Sequence, residues 1–315
     1  MSAAHWVTQF LAVVLALVAA PLFLGWVNQC RAWLQNRSAP PLLQPYRGIR
    51  KLFHKEAVIA HGASPLFRLA PYVVFGAMVL AAAIIPTLGT RLPVTQAADA
   101  IALVGVLAMA RVFVALAAMD VGTAFGTLGA RREMMVGFLA EPALLMVVFV
   151  ASLICSSSAL PAITEHLATQ APALLPSLAF IGVAFTLVLL AENARIPVDN
   201  PATHLELTMI HEALLLEYSA RHLALMEWAA ALKLFNYACI GFALFVPWGV
   251  AVGTAPRALA AALPLLALKL LVAGAGLALV ETLSAKLRVL RAPEFLATAF
   301  LFAVLGLLVH LLLGA

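Results

Sequence analysis

Charged residues are scarce in this sequence. Aspartate, glutamate, lysine and arginine make up 10% of the 315 residues, whereas 64% are hydrophobic and the mean hydropathy is +1.05. Soluble domains are about one quarter charged. A folded chain of this composition cannot cover its surface with polar groups, so its solvent must be lipid. The composition excludes a soluble globular protein and indicates an integral membrane protein.

Cysteine is almost absent, and the three that occur, Cys30, Cys155 and Cys239, are far apart and show no paired spacing. This argues against a disulfide framework, a zinc knuckle or an iron–sulfur cluster ligated within the chain. No glycine-rich phosphate loop appears either. No lysine or arginine precedes the first apolar stretch, which begins near Ala3, so we expect a permanent first helix there, not a cleaved signal peptide.

Long apolar stretches are abundant. A transmembrane helix needs about 20 apolar residues, each adding about 1.5 Å along the axis. Eight stretches meet this requirement: 3–27, 66–85, 97–118, 134–157, 173–190, 225–250, 259–280 and 295–313. We therefore predict an all-α integral membrane protein with about eight transmembrane helices, forming a single polytopic membrane domain over residues 1–315.

The basic residues alternate between loops. Thirteen of the nineteen lysines and arginines lie in four segments, at about 28–64, 119–133, 191–224 and 281–294, whereas the remaining loops carry only Arg91 and Arg257. Lysine and arginine accumulate in cytoplasmic loops. We therefore expect a multi-pass protein of the inner cytoplasmic membrane with both termini outside. The net charge of +5 does not indicate nucleic-acid binding, because the basic residues cluster between apolar spans. The expected partner is the lipid bilayer.

The first cytoplasmic segment predicts an amphipathic surface helix. Pro45 can open it, and Leu42, Tyr46, Ile49 and Phe53 follow at spacings of three and four. The positions between them are mainly basic: Arg47, Arg50, Lys51, His54 and Lys55. Such a helix lies at the membrane surface. It is either held there by anionic lipid, or it forms the floor or mouth of a site at the membrane edge.

The third cytoplasmic segment is rich in acids. Six of the fourteen acidic residues lie within or just after it: Glu192, Asp199, Glu206, Glu212, Glu217 and Glu227. Pro197 and Pro201 break any helix that continues from the fifth span, and residues 202–225 are strong helix formers. Glu206 and Glu217 would then share one helix face. Grouped carboxylates near lipid can hold and pass protons. The alternative is a solvated helix balanced by Arg195 and Arg221.

Several charges lie inside the predicted spans: Glu141, Arg111, Lys233 and Lys269. A charge in hydrocarbon must face a wet cavity or a partner, so these side chains should point inward and pair. An ion path is one interpretation, and a structural ion pair or snorkelling is the other. We predict no metal site, because Leu215 stands where a zinc motif beginning at His211 requires a second histidine.

The segment after the fifth span resembles a known family. Residues 191–199 read Ala-Glu-Asn-Ala-Arg-Ile-Pro-Val-Asp, which resembles the A-E-x-x-R-x-P-F-D signature of the respiratory complex I membrane subunit beside the quinone chamber. Glu206-Leu207 and Glu217-Tyr218-Ser219 resemble its later motifs. Ala202 and His204 stand where complex I has acids. The run 199–212, with 131–134 and 140–142, is more similar to the formate hydrogenlyase and hydrogenase-4 branch of the membrane-bound nickel-iron hydrogenases.

The resemblance implies a membrane anchor and energy-coupling subunit, not catalytic alone, in an oxidoreductase complex. Its partners would be hydrogenase-like large and small subunits, an iron–sulfur subunit and antiporter-like membrane subunits. The nickel-iron site and iron–sulfur clusters would lie in those partners, and we expect this chain to bind no cofactor itself. Residues relaying protons or sodium would be Glu141, Glu192, Asp199, Glu206, Glu212, Glu217 and Glu227. Residues docking the peripheral arm would be Arg47, Arg50, Lys51, Arg131, Arg132, Arg195 and Arg221.

Two alternatives stay open. The chain could be the corresponding quinone-chamber subunit of an NADH or ferredoxin:quinone oxidoreductase. It could also be a stand-alone secondary transporter that uses the same carboxylates, although no repeated halves are apparent in the sequence.

Overall fold

The computed structural model describes residues 3–60, 62–90, 92–97, 99–169, 176–199, 209–251, 256–288 and 291–313. Regular structure in these ranges is helical. In chain order the helices are α1 (Ala3–Leu34), α2 (Gln44–Phe53), α3 (Pro65–Ile84), α4 (Pro93–Ala97), α5 (Ala100–Asp120), α6 (Ala124–Cys155), α7 (Leu160–Thr169), α8 (Pro176–Glu192), α9 (His211–Leu215), α10 (Ala220–Phe245), α11 (Pro256–Leu283) and α12 (Ala292–Leu313).

Within the described ranges, seven helices are long and apolar enough to cross a membrane: α1, α3, α5, α6, α10, α11 and α12. Each corresponds to a stretch identified in the sequence. The remaining stretch contains α8, an apolar helix of 17 residues. The prediction of an all-α integral membrane protein is confirmed. The count of eight spans and the outward position of both termini stay predictions.

The spanning helices extend beyond the apolar stretches. α1 continues to Leu34, although the apolar run ends near residue 27, and α6 begins ten residues before its apolar run. The side chain of Thr123 caps α6 by accepting a hydrogen bond from the Gly126 amide. Hydropathy marks only the part of a helix in lipid, whereas the hydrogen-bonded backbone continues into water. This extension places Arg131, Arg132 and Glu133 on α6 instead of in a loop.

The long helices share one hydrophobic core. α10 packs against α1, α2, α3 and α8, and α6 packs against α5, α8 and α12. α11 lies chiefly against α1, while α12 lies on α8 and α6. The short segment from α11 to α12 must therefore cross the end of the bundle, where the amide of Leu287 donates to the carbonyl of Pro197.

The predicted amphipathic helix is present as α2. Its apolar face lies on α1 and α10: Ile49 is buried, the Tyr46 hydroxyl donates to the Val18 carbonyl, and the Phe53 ring lies edge-on to Trp228 at a centroid distance of 6.5 Å. The basic side chains of α2 are exposed. These three contacts, two apolar and one a hydrogen bond, fix α2 against the side of the bundle.

A continuous helix over 202–225 was expected, and this expectation is wrong. Residues 216–219 interrupt it between α9 and α10, and residues 200–208, including Glu206, lie outside the described residues. Tyr218 is buried, stacks on Phe67 at 4.1 Å and donates to the Phe67 carbonyl at 3.1 Å. Ser219 bonds both backbone groups of Val58. These long-range contacts outweigh the local helix propensity, so the shared face of Glu206 and Glu217 has no support.

Candidate functional site

A buried arginine organises the centre of the site. Arg111, on α5, donates from Nε to Glu133 at 3.1 Å and from Nη1 to Glu141 at 2.8 Å, while Nη2 donates to Glu192. Lys233, on α10, lies 2.9 Å from the other Glu192 oxygen. The side chains of Arg111 and Glu192 are 4% and 2% exposed. Ions with so little exposed surface are tolerated only when paired and hydrogen-bonded, so this cluster must form as a unit.

The spacing of three residues on α6 leaves room for the Arg111 side chain between two carboxylates. Glu133, Gly137 and Glu141 are four residues apart and therefore lie on one helix face. A Cβ atom at Gly137 would approach Arg111 Nη1 to 2.6 Å and Cδ to 2.8 Å. Gly137 thus leaves the gap across which the guanidinium reaches both carboxylates.

We expect Gly137→Ala to loosen the ion cluster. Arg111 cannot move aside freely because three carboxylates hold it, so the new methyl group costs about 1–3 kcal/mol of overpacking and lowers the melting temperature of the purified protein. Gly105→Ala, on α5, is the matched control, since nothing lies within 4 Å of its Cβ position. Equal melting temperatures for the two variants would contradict the role given to Gly137.

The ion network continues toward the end of the bundle. His211, the first residue of α9, places Nε2 at 3.3 Å from Glu133 Oε2 and Nδ1 at 3.2 Å from Asp199 Oδ2. The amides of Ile210 and His211 also donate to Asp199 Oδ2, at 3.3 and 3.1 Å. Lys286 Nζ lies 3.9 Å from the other Asp199 oxygen. Charged groups therefore follow one another from Asp199 at the end of the bundle to Lys233 inside it.

A second ion cluster holds the segment that follows α8. Glu281, at the end of α11, is 3% exposed and binds Arg195 at 3.1 Å and Arg31 at 3.6 Å. Burial lowers the pKa of Arg195, whereas the neighbouring Glu281 opposes this shift. Because Glu281 faces two guanidinium groups, it joins the ends of α1, α8 and α11 and fixes the position of the segment carrying Asp199.

A cavity of about 450 Å³ lies beside both clusters. Apolar side chains from α1, α3, α5, α9 and α10 form much of its wall, whereas Arg111, Glu133, Glu192, His211 and Lys233 supply a charged side. Pockets of about 300–1,000 Å³ with apolar walls and a few polar groups are typical ligand sites. The network thus has one side facing a space large enough for water or a small molecule.

The family follows from a comparison with known proteins. The NADH dehydrogenase family profile matches residues 7–312, nearly the whole chain. The chain belongs to the NADH dehydrogenase family. Formate hydrogenlyase subunit 4 of Escherichia coli K12 is 34% identical over 292 residues, which cover 91% of this chain and 92% of that protein. Hydrogenase-4 component C of the same organism is 36% identical over 238 residues, covering 75% of this chain and 74% of that one.

A solved structure has the same fold. One chain of the membrane-bound sulfane sulfur reductase, an archaeal respiratory membrane complex, superposes with a TM-score of 0.83 at 19% identity, covering 96% of this chain and 98% of that one. The predicted resemblance is therefore confirmed. This NADH dehydrogenase family protein is a multi-pass membrane subunit of a multisubunit oxidoreductase complex and is not catalytic alone.

Three of the predicted relay residues of this family member lie in the network: Glu141, Glu192 and Asp199. Glu212 lines the cavity, and Glu227 interacts electrostatically with Glu212. Glu217 is partly exposed and lies outside the cavity lining, while Glu206 is not among the described residues.

The predicted docking residues are mostly at the surface. Those exposed are Arg47, Arg50, Lys51, Arg131 and Arg221. Arg132 donates to the Met209 carbonyl at 2.7 Å and so ties α6 to the start of α9. Arg195 differs, because its burial against Glu281 leaves it unable to offer a surface to a partner. Its place at the junction is therefore structural.

Sequence reasoning missed part of the network. Arg111 and Lys233 were expected to pair inside the bundle, and they do, but neither was assigned to the site. Glu133 and His211 were not assigned either. The spacing of Glu133, Gly137 and Glu141 was the available signal for Glu133. Lys269, the other intramembrane cation, lies on α11 and donates to the Val246 carbonyl at the end of α10, at 2.6 Å.

No group of three or more histidine, cysteine or acidic side chains in the described ranges is placed to hold a metal ion. The three cysteines are buried on three different helices. The cysteine, histidine and acidic side chains in the described ranges therefore do not fit a metal cluster.

Proposed function

We propose that the chain anchors the peripheral electron-transfer arm of an energy-converting nickel-iron hydrogenase, of the formate hydrogenlyase type, in the inner cytoplasmic membrane. It relays the redox step of that arm to movement of protons, or of sodium, across the membrane. The arm would consist of hydrogenase-like large and small subunits with an iron–sulfur subunit, and antiporter-like subunits would lie beside the chain in the bilayer. The nickel-iron site and the clusters would belong to those partners.

One observation carries this function: charged side chains are connected from Asp199, at the end of the bundle, to Glu192 and Lys233 within it. Such a chain of titratable groups can pass a charge change inward without moving a helix. The relay residues of this function are Glu141, Glu192, Asp199, Glu206, Glu212, Glu217 and Glu227. Full-length similarity to a formate hydrogenlyase subunit supports the assignment.

At Glu141 the proposed proton relay reaches the outer surface of this chain, where another subunit could continue it. Its side chain is 34% exposed, although it lies within a spanning helix. The neighbouring Phe138 and Leu145 are 80% and 40% exposed. A carboxylate facing hydrocarbon costs several kcal/mol, so the edge of α6 at Glu141 suits contact with a polar group of another membrane subunit.

The arm would dock on the end of the bundle at which Asp199 lies. The proposed contacts are Arg47, Arg50, Lys51, Arg131, Arg132 and Arg221. The buried Arg195 contributes indirectly, by holding the segment 195–199 in place. Basic side chains at a rim guide association and orient a partner more than they strengthen it.

A second function is favoured by the cavity. Its volume and its largely apolar wall next to charged groups suit the head and first isoprene units of a quinone. The chain would then be the quinone-chamber subunit of an NADH or ferredoxin:quinone oxidoreductase. Displacement of a radiolabelled short-chain quinone from the purified complex by an excess of unlabelled quinone would favour this function.

Isolation of the tagged chain from its native membrane in mild detergent tests the proposed function. We expect hydrogenase-like subunits, an iron–sulfur subunit and antiporter-like subunits to copurify, with nickel and iron in fixed ratio to the chain. Redox partners without nickel would favour the quinone oxidoreductase. A chain purified alone that transports a solute in vesicles would establish the stand-alone transporter.

A further inference from the structure

His211 connects the segment after α8 with the buried cluster through side chains. Its ring contacts Asp199 with Nδ1 at 3.2 Å and Glu133 with Nε2 at 3.3 Å. The Nε2 atom and Glu133 Oε2 are both buried, and among the described residues neither has a well-aligned hydrogen bond. Two polar atoms thus face each other across a gap that a small ring movement would close.

Each structural element that packs around His211 contributes a charged group. Asp199 follows α8, Glu133 lies on α6 with Arg111 of α5 behind it, and Lys286 approaches Asp199 from the segment after α11. Glu212 is the next residue along α9. Two backbone amides hold Asp199 in place, and the ring itself lines the cavity. The imidazole is therefore positioned between two acids and in reach of water.

We propose, building on the relay function above, that His211 transfers protons between Asp199 and Glu133. A proton on Asp199 Oδ2 passes to Nδ1 while the Nε2 proton passes to Glu133 Oε2. The Asp199 carboxylic acid becomes a carboxylate, the Glu133 carboxylate becomes an acid, and the ring changes tautomer without changing charge. The ring returns to its first tautomer by exchanging protons with water in the cavity. A histidine suits this step because its two nitrogens can accept and donate at once.

Two replacements in the intact complex test this transfer. His211→Gln keeps a hydrogen-bonding side chain of similar length but cannot transfer protons. His211→Ala removes the ring and leaves space beside the cavity. We expect both variants to lose at least ten-fold in redox-driven ion movement in proteoliposomes. Added imidazole should restore much of this rate in His211→Ala and none in His211→Gln. Membrane potential is the readout, because imidazole dissipates pH gradients. His54→Ala, at an exposed position directly after α2, is the control and should behave like the parent with and without imidazole.

The outcomes separate this role from the relay as a whole. An assembled His211→Ala complex that moves ions at the parent rate, or that imidazole does not restore, overturns the role of His211. If His211→Ala does not assemble, His211→Gln decides: an assembled complex with the ten-fold loss supports the transfer, and one with the parent rate overturns it. Suppose that Glu192→Gln loses ion movement while both His211 variants keep it. The role of His211 is then overturned, but the proposed relay function is still supported. A parent complex that moves no ions overturns both.

Discussion

Replacing Arg111 by leucine should cause the largest loss of stability of any single change in this protein. One guanidinium pairs with Glu133, Glu141 and Glu192. Its removal leaves these three carboxylates near one another, with Lys233 beside Glu192 and His211 beside Glu133. Breaking a buried ion pair by removing one partner costs about 3–5 kcal/mol. We expect little folded chain in the membrane, and a melting temperature well below that of the parent in tryptophan fluorescence of any purified material.

Two further variants separate electrostatics from packing. Arg257→Leu removes an exposed arginine at the start of α11 and should leave the melting temperature unchanged. Adding Glu133→Gln and Glu141→Gln to Arg111→Leu removes the repulsion and should recover part of the lost stability. A triple variant no more stable than Arg111→Leu would show that shape, and not charge, sets the effect.

Replacing Glu192 by glutamine should uncouple the complex while leaving it assembled. Glutamine keeps the size of the side chain and can still accept from Arg111, but it carries no proton and no charge between Arg111 and Lys233. A positioned proton-transfer group contributes about 10²–10⁴-fold in rate. We expect ion movement per electron to fall about ten-fold or more, while redox turnover with soluble substrates continues. The measurement is simultaneous recording of both rates in proteoliposomes.

Glu294→Gln is the control for Glu192→Gln. Glu294 is an exposed acid in the first turn of α12, so its loss removes the same charge outside the network. Both rates should match the parent in this variant. Ion movement that is unchanged in Glu192→Gln would mean that the buried carboxylates serve only to hold the bundle together.

The sequence predicts what depends on local composition. The spans can be predicted because a run of about 20 apolar residues is stable in lipid and not in water. Helix α2 can be predicted because Tyr46, Ile49 and Phe53 recur at helical spacing. The signature at 191–199 identifies the family and the segment that carries the acids. These features can be predicted without knowing which helices contact one another.

The site depends on contacts that no local pattern contains. Arg111 lies 22, 30 and 81 residues from the three carboxylates that it binds, so their meeting is decided by how α5, α6 and α8 pack. The helix expected over 202–225 fails for the same reason, since Tyr218 binds Phe67 from a distance of 151 residues. Glu281 is another example, because only the packing of α11 on α1 brings it between two arginines.

The central claim is that the protonation of the acids in the ion network changes with electron transfer in a neighbouring protein. Imaging the purified native complex by electron cryomicroscopy tests this claim most directly. The account predicts that a redox subunit covers the end of the bundle at Asp199 and His211, with a metal centre within electron-transfer reach of the cavity. A complex in which Asp199 and His211 face open solvent, with no electron-transfer protein over them, would contradict it.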